Sequence, residues 1–163
     1  GAGRVEPELA ARLGLTGLAG RASGQAFDLR VDAPWFPYGA LAPVKCGSIE
    51  CDVAARVALR FDELLESCRL VQRILDGMPA GAHRVPVPVP AEHAVGIGVI
   101  EGWRGPVLLA LEAGAAGGIR RCHPHDPSWQ NWPVLEHAIH GNITEIVQHV
   151  RRRDDQRERG PGA

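Results

Sequence analysis

Three features are absent from this 163-residue sequence: a long apolar run, a secretory signal and a strong net charge. Each absence excludes a class of location or partner. No stretch approaches the roughly 18 consecutive apolar residues of a membrane-spanning helix. The first residues, Gly1 to Arg4, contain no apolar core of a secretory signal. The 18 basic and 19 acidic residues leave a net charge of -1, so no overall field attracts nucleic acid or an anionic membrane. We therefore expect no direct membrane span and no nucleic-acid partner.

Cysteine is also scarce, and the sequence contains no Cys-x-x-Cys pair. The four cysteines are Cys46, Cys51, Cys68 and Cys122. They form no dense disulfide framework, which favours a reducing compartment, and we predict the cytoplasm. Nucleophilic catalysis has little support, because no neighbouring His and acid form a known local signature with Ser23, Ser48, Cys51 or Cys68.

The longest helical pattern runs from Ser48 to Gly77. Its apolar residues recur at spacings of three and four, which places them on one helical face, here called the apolar stripe. The stripe consists of Val53, Val57, Phe61, Leu64, Cys68, Val71 and Leu75. We expect it to be buried. Ser48 or Asp52 is placed to cap the first turn, and Gly77 to end the helix in a left-handed conformation. Arg69 can reach back to Glu66.

The remaining segments predict an α+β fold. We expect a long amphipathic helix packed with a small antiparallel β-sheet, built on a hairpin, and one or two short helices. Residues 6–13 predict a short peripheral helix, and 14–47 an irregular segment whose aromatic rings cover the core. The later segments, in order, are an extended spacer at 79–90, strands at 94–101, 106–113 and 119–123, and a second helix opening at Pro133.

Two clusters are candidates for chemistry. Cys122, His123 and His125 place three metal-ligating side chains within four residues. This spacing matches no standard zinc module, so the histidines are more simply strand-end residues bonded to neighbouring loops. The second cluster is the turn that follows Glu101, across which Glu101 and Arg104 are close enough to pair. We expect this pair to be a structural clamp.

Four blocks carry a resemblance to a known family, and they occur in the family's order. They are 51–57 with 66–71, 99–105, 120–133 and 135–143. Together they resemble the C-terminal part of the large subunit of energy-converting nickel–iron hydrogenases. They also resemble its homologue, the quinone-site large subunit of respiratory complex I (NADH:quinone oxidoreductase). The likeness extends over about residues 13–143. We divide the chain into three parts: an irregular Gly-, Pro- and aromatic-rich segment with a short N-terminal helix at 1–47, a hydrogenase-large-subunit-like C-terminal domain at 48–143, and a helical extension with a disordered charged tail at 144–163.

The resemblance implies a scaffold and cavity-wall component of a multisubunit electron-transfer oxidoreductase. Its partners would be an iron–sulfur small subunit and membrane subunits, which would hold it in the cytoplasm at the membrane periphery. In that family the long helix belongs to a bundle, and the Glu-x-x-Arg-Gly link opens a hairpin beside the reaction cavity. This makes Glu101 and Arg104 the first cavity candidates and His125 and Asp126 the second.

The resemblance also implies what this chain does not carry. The family holds nickel and iron with two cysteine pairs, which are missing here, and the quinone-site His and Tyr belong to an N-terminal half without a counterpart in this sequence. We therefore expect no cofactor, no catalytic residue and no activity of the chain alone. The alternative is a stand-alone protein-interaction module derived from such a subunit. A metal-binding domain ranks third.

Overall fold

The computed structural model describes residues 1–82 and 84–139. Within them the chain forms six α-helices, one 3₁₀ turn and three strands. The elements, in chain order, are α1 Pro7–Leu13, α2 Gly17–Arg21, α3 Leu29–Asp32, α4 Tyr38–Leu41, α5 Val53–Asp76, β1 Val95–Gly102, β2 Gly105–Ala113, the 3₁₀ turn Ala115–Gly117, β3 Ile119–His125 and α6 Ser128–Ala138. The predicted α+β arrangement is confirmed.

The long helix α5 has 24 residues and begins where a side chain caps it. Asp52 accepts a hydrogen bond from the amide of Ala55 at 2.8 Å, which decides between the two predicted caps. The predicted left-handed cap at Gly77 is wrong, since its φ is −95° and its amide instead bonds to Arg73 O. The predicted pair of Arg69 and Glu66 is confirmed, with both guanidinium–carboxylate contacts at 2.6 Å.

The prediction that the apolar stripe is buried is wrong for this chain. Phe61 is 62% exposed, and the other stripe residues are exposed too. The buried residues of α5 lie on the other side of the helix: Ala55, Leu59, Glu63, Glu66 and Leu70. The periodicity identified a face suited to burial, but no described residues pack over it. Instead, α2 and the loop before α5 pack on the opposite face of the helix.

The first 47 residues are more ordered than predicted. The helix α1 is not peripheral, because Ala10 is fully buried in a cluster with Val134 of α6. The segment predicted to be irregular contains α2, α3 and α4, and Leu18 of α2 is buried against α5. Local Gly and Pro content concealed these short helices, which tertiary contacts stabilise.

The aromatic rings of this segment do not cover the core as predicted. Phe36 is 92% exposed. Trp35 and Tyr38 pack edge to face on each other, with ring centroids 4.9 Å apart. Each of these two rings therefore packs on the other, within the turn that leads into α4.

The three predicted strands form one antiparallel sheet in the order β1-β2-β3. Val95 pairs with Glu112 at one end of the hairpin, and Gly102 pairs with Gly105 at the turn. Most of β1 and β3 is exposed, whereas Gly105 is buried. The sheet is therefore anchored in the body of the protein through the turn between β1 and β2.

The last described helix, α6, begins at Ser128 rather than at the predicted Pro133. Asp126 accepts a hydrogen bond from the amide of Ser128 at 2.7 Å, which starts the helix before the proline. The predicted helical extension and tail at 144–163 lie outside the described residues.

Candidate functional site

The turn between β1 and β2 is held on two sides by backbone and side-chain hydrogen bonds. The amide of Leu18 donates to Trp103 O at 2.8 Å. Arg104 O accepts from Thr16 Oγ1 at 3.1 Å and from Asn131 Nδ2 at 2.8 Å. The start of α2 and the helix α6 thereby fix the backbone from which the Arg104 side chain extends.

Two glycines permit this close contact between α2 and the turn. Gly17 has φ +64°, and a Cβ there would overlap the backbone of Arg104 and Gly105. Gly105 has φ +126°, and a Cβ there would overlap the side chain of Thr16. Any larger residue at either position would both strain the backbone and push the turn away from α2.

A buried ion network lies next to the turn. Arg21 of α2 donates to Glu63 of α5 at 2.6 Å and to Glu101 of β1 at 2.9 Å. All three side chains are at most 4% exposed. Burial opposes the charged form of Arg21, but the hydrogen bonds to the two carboxylates outweigh it and raise its pKa above the ordinary value. One guanidinium therefore ties α2, α5 and β1 together.

The predicted pair of Glu101 and Arg104 does not form. Both carboxylate oxygens of Glu101 are used elsewhere, one by Arg21 and the other by the amide of Leu29 at 3.1 Å. The Glu101 side chain is buried, and its charged partner is Arg21 of α2 rather than Arg104. Arg104 is exposed and lines a cleft on the other side of the turn.

Beside Arg104 lies a cleft of two adjoining cavities, here called the arginine cleft. The larger cavity, about 540 Å³, lies between the α1–α2 segment and α6 and is lined mainly by apolar side chains. The smaller, about 410 Å³, is lined by Arg56, Arg60 and Arg104 together with Trp103 and Asp126, among others. Four residues line both cavities: Ala19, Arg56, Arg104 and Asn131.

The three arginines of the cleft differ in how they are held. Arg56 donates to Gly3 O at 2.7 Å and to Cys51 O at 3.3 Å, and burial lowers its pKa. The Arg60 guanidinium lies 5.3 Å from the centroid of the Trp103 ring. Within residues 1–82 and 84–139, none of the three arginines forms an ion pair with a carboxylate.

Of the second pair of predicted cavity residues, Asp126 lines the cleft and His125 lies next to it in sequence. Hydrogen bonds from the side chain and amide of Ser128 lower the pKa of Asp126. His125 packs edge to face on Trp129 and has its Nε2 2.9 Å from Gln130 Nε2. The fold thus brings Asp126 and Arg104 to one cleft and turns His125 toward α6.

The metal candidates in β3 do not converge. Because successive strand residues point to opposite faces, Cys122 faces away from His123 and His125. Among the described residues, no group of three His, Cys, Asp or Glu side chains is placed to hold a metal ion. The four cysteines are unpaired thiols.

Sequence reasoning missed the residues that complete the site. Arg21 and Asn131 carry no local signal, because their roles depend on contacts with residues 27 to 115 positions away. Arg56 and Arg60 are one helical turn apart, which placed them on one side of α5, but their position beside the Arg104 turn follows only from the packing of α2.

Comparison with known proteins identifies the family. The family model of the respiratory-chain NADH dehydrogenase 49 Kd subunit matches residues 1–93, more than half of the chain. The chain belongs to this family. The resemblance stated from the sequence blocks is thereby confirmed.

Three curated relatives extend the match beyond residue 93. Formate hydrogenlyase subunit 5 of Escherichia coli (strain K12) is 32% identical over 143 residues, which are 87% of this chain and 25% of that protein. An NADH-quinone oxidoreductase subunit of Syntrophobacter fumaroxidans is 31% identical over 147 residues, 88% of this chain and 39% of that protein. The carbon monoxide-induced hydrogenase of Rhodospirillum rubrum is 32% identical over 136 residues, 82% of this chain and 37% of that protein.

A solved structure shares the fold of this chain. A chain of the membrane-bound sulfane sulfur reductase, an archaeal respiratory membrane complex, superposes with a TM-score of 0.72 at 26% identity. The match covers 85% of this chain and 39% of that one. This chain therefore spans between about a quarter and two fifths of the length of these members of the family. Within the described residues, no helix combines the length and apolar character needed to cross a membrane.

Proposed function

We propose that this chain is the C-terminal part of a large subunit in an electron-transfer assembly of the hydrogenase or complex I type. It supplies scaffold and one wall of the reaction cavity and is not catalytic alone. Its partners are an iron–sulfur small subunit and membrane subunits, which hold it at the membrane periphery. Membership of the 49 Kd subunit family and the likeness to a chain of a respiratory membrane complex support this assignment.

The observation that carries the scaffold role is the exposed apolar stripe of α5. Seven stripe residues, spread over 23 positions of one helix, face solvent in this chain. An apolar face of this length is unusual on a free surface and typical of a protein–protein contact. We infer that the stripe is covered by the part of the large subunit that the relatives have and this chain does not span.

The observation that supports the cavity wall is the turn at Trp103 and Arg104. Hydrogen bonds from α2 and α6 fix the backbone of this turn, and the Arg21 network holds Glu101, which precedes it. Arg104 lines the cleft. Rigid support of this kind is what a residue at the edge of a reaction cavity requires.

A nickel–iron centre does not fit the residues of this chain. Such a centre would need a set of converging thiolates. Cys46 and Cys51 lie in the segment before α5, Cys68 lies on the exposed stripe, and Cys122 lies on β3. Because the four cysteines are spread over three parts of the fold and the described residues contain no converging group of three ligands, we propose that any metal centre or quinone of the assembly is held by other segments.

The scaffold role is tested by two matched phenylalanine variants. Phe61 of the stripe and Phe36 before α4 are both exposed, at 62% and 92%. A tagged chain purified from detergent-solubilised membranes of its native host should carry identified iron–sulfur and membrane subunits on a native gel. Phe61→Glu should abolish this co-purification, because it places a charge in the apolar contact with the rest of the large subunit, through which the other subunits are held. Phe36→Glu should leave it intact.

The cavity role is tested by the electron-transfer turnover of the same purified complex. Arg104→Gln should lower turnover by about tenfold or more, because a preorganised charge is removed from the cavity edge. Turnover equal to that of the parent complex would refute the cavity role. Two outcomes of the co-purification experiment would instead favour the stand-alone interaction module. In the first, the parent chain purifies without other subunits; in the second, Phe61→Glu carries as much of the other subunits as the parent chain does.

A further inference from the structure

The arginine cleft has an excess of positive charge. Arg56, Arg60 and Arg104 face it with one carboxylate, Asp126. One oxygen of that carboxylate is already engaged by the amide of Ser128. A surface with three cations and one anion attracts a ligand of negative charge.

Arg56 shows that this charge is incompletely compensated within the described residues. Its two terminal nitrogens donate to backbone carbonyls, which are neutral, and burial lowers its pKa. A partly buried cation with no carboxylate in direct contact retains a desolvation penalty. The attraction of Asp52 offsets only part of that penalty, and a bound anion would offset more.

The other two arginines are held in advance, Arg60 through its side chain and Arg104 through its backbone. Arg60 is held over the Trp103 ring, and Arg104 extends from a backbone fixed by Thr16 and Asn131. Less conformational entropy is lost when such side chains bind a ligand. The planar guanidinium also matches carboxylate and phosphate oxygens through paired hydrogen bonds.

The adjoining cavity supplies the second half of the site. It is about 540 Å³ in volume and shares Arg56 and Arg104 with the charged cavity. Its apolar lining consists of Val5, Leu15, Ala19, Trp132, Val134, Leu135 and Ala138. A ligand that reaches from one cavity into the other would present an anionic head to the arginines and an apolar body to α6.

We propose that the arginine cleft binds an amphipathic anion, an apolar chain that carries a phosphate or carboxylate head group. This inference concerns the 163-residue chain alone and goes beyond its role in an assembly. The binding experiment requires no partner subunit, so its failure would leave the proposed function untouched, and the reverse also holds.

The test is calorimetric titration of the purified chain with monomeric decyl phosphate, below its micelle concentration and at low salt. Decanoate asks whether a carboxylate head group serves as well. Inorganic phosphate carries the head group alone, and decyltrimethylammonium carries the same chain with the opposite charge. We expect decyl phosphate, decanoate or both to bind more tightly than either of the two reference compounds.

Arginine variants locate the binding. Arg60→Gln and Arg104→Gln should each weaken binding of the preferred amphiphile by about tenfold or more, the effect of losing one charge-assisted hydrogen bond. Arg121→Gln is the matched control, because Arg121 is paired with Glu112 at the far end of the sheet. Circular dichroism of the variants confirms folding.

Three results would overturn the proposal. Equal affinity for decyltrimethylammonium would show that only apolar surface is being bound. Equal affinity for inorganic phosphate would show that the apolar cavity contributes nothing. Unchanged affinity in both Arg60→Gln and Arg104→Gln would place the ligand elsewhere.

Discussion

The two sides of α5 reverse the usual distribution of charge and apolar surface. The inward side buries two glutamates, Glu63 and Glu66, next to Leu59. The outward side exposes the apolar stripe, with Phe61 at 62% and Leu75 at 56%. Carboxylates are rarely buried unless they are paired, and apolar stripes are rarely left in water.

The difference lies in which partners the chain itself supplies. Glu63 is paired with Arg21, and Glu66 is paired with Arg69 and accepts from the amide of Val44 at 2.9 Å. The inward side is thus complete within the chain. The outward side has no such cover among the described residues, which is consistent with a chain that spans a quarter to two fifths of its relatives. Burial on this helix is decided by available partners rather than by hydrophobicity alone.

The largest effect is expected from breaking the inward ion network. Arg21→Met should destabilise the chain by about 3–5 kcal/mol, because it leaves the buried Glu63 and Glu101 without their cation. Urea unfolding monitored by circular dichroism gives the change in the free energy of unfolding.

The matched variant is Arg69→Met, which removes an arginine from an ion pair nearer the solvent. Its effect should be a small fraction of that of Arg21→Met, because water screens the Arg69 contact. Equal losses in the two variants would show that the buried Arg21 network is no more strongly coupled than the Arg69–Glu66 pair.

Much of the fold could be predicted from the sequence. The strands around Ile97 and Leu109 and the helix that ends near Gly77 follow from local periodicity and turn residues. The short helix at Gly17–Arg21 could not be predicted, because five residues form a helix only with tertiary support. The side of α5 that packs on the rest of the chain could not be predicted either. The apolar stripe indicates a buried face, but it does not show which segment buries it.

The candidate site was predictable only in part. The turn at Glu101 and Arg104 and the nearby Asp126 were identified, because the resemblance marks those blocks of sequence. The partner of Glu101 was not, since Arg21 lies 80 positions away and ordinary spacing rules do not reach that far. Nor could the sequence show that Arg56 and Arg60 meet Arg104 at one cleft.

Two leucines on opposite sides of α5 allow the two sides to be compared with the same substitution. Leu59 is 2% exposed on the inward side, and Leu65 is 69% exposed next to the stripe. Leu59→Ala should destabilise the isolated chain by about 2–4 kcal/mol through lost burial and a residual cavity. Leu65→Ala should change the free energy of unfolding by about 0.5 kcal/mol or less. A large loss at Leu65 in the isolated chain would mean that the outward side is already covered.

The smallest expected effect is a pH dependence that comes from Glu66. Hydrogen bonds from Arg69 are the main reason that its pKa is lowered, and the amide of Val44 adds to them. A carboxyl group whose folded-state pKa is depressed stabilises the protein above its unfolded pKa, which is about 4.3 for Glu. That contribution is lost as the pH falls through the folded-state pKa.

The matched comparison is between the parent chain and Arg69→Gln, in which Val44 and the nearby Arg30 remain to act on Glu66. The difference in their free energies of unfolding should be constant from about pH 6 to about pH 5 and should shrink below about pH 4.3. Urea unfolding at intervals between about pH 6 and about pH 3.5 measures it, and titration of carboxylates elsewhere cancels in the difference. A gap that stays constant across this range would show that Arg69 supports α5 through its contact with Ala42 O rather than through the charge on Glu66.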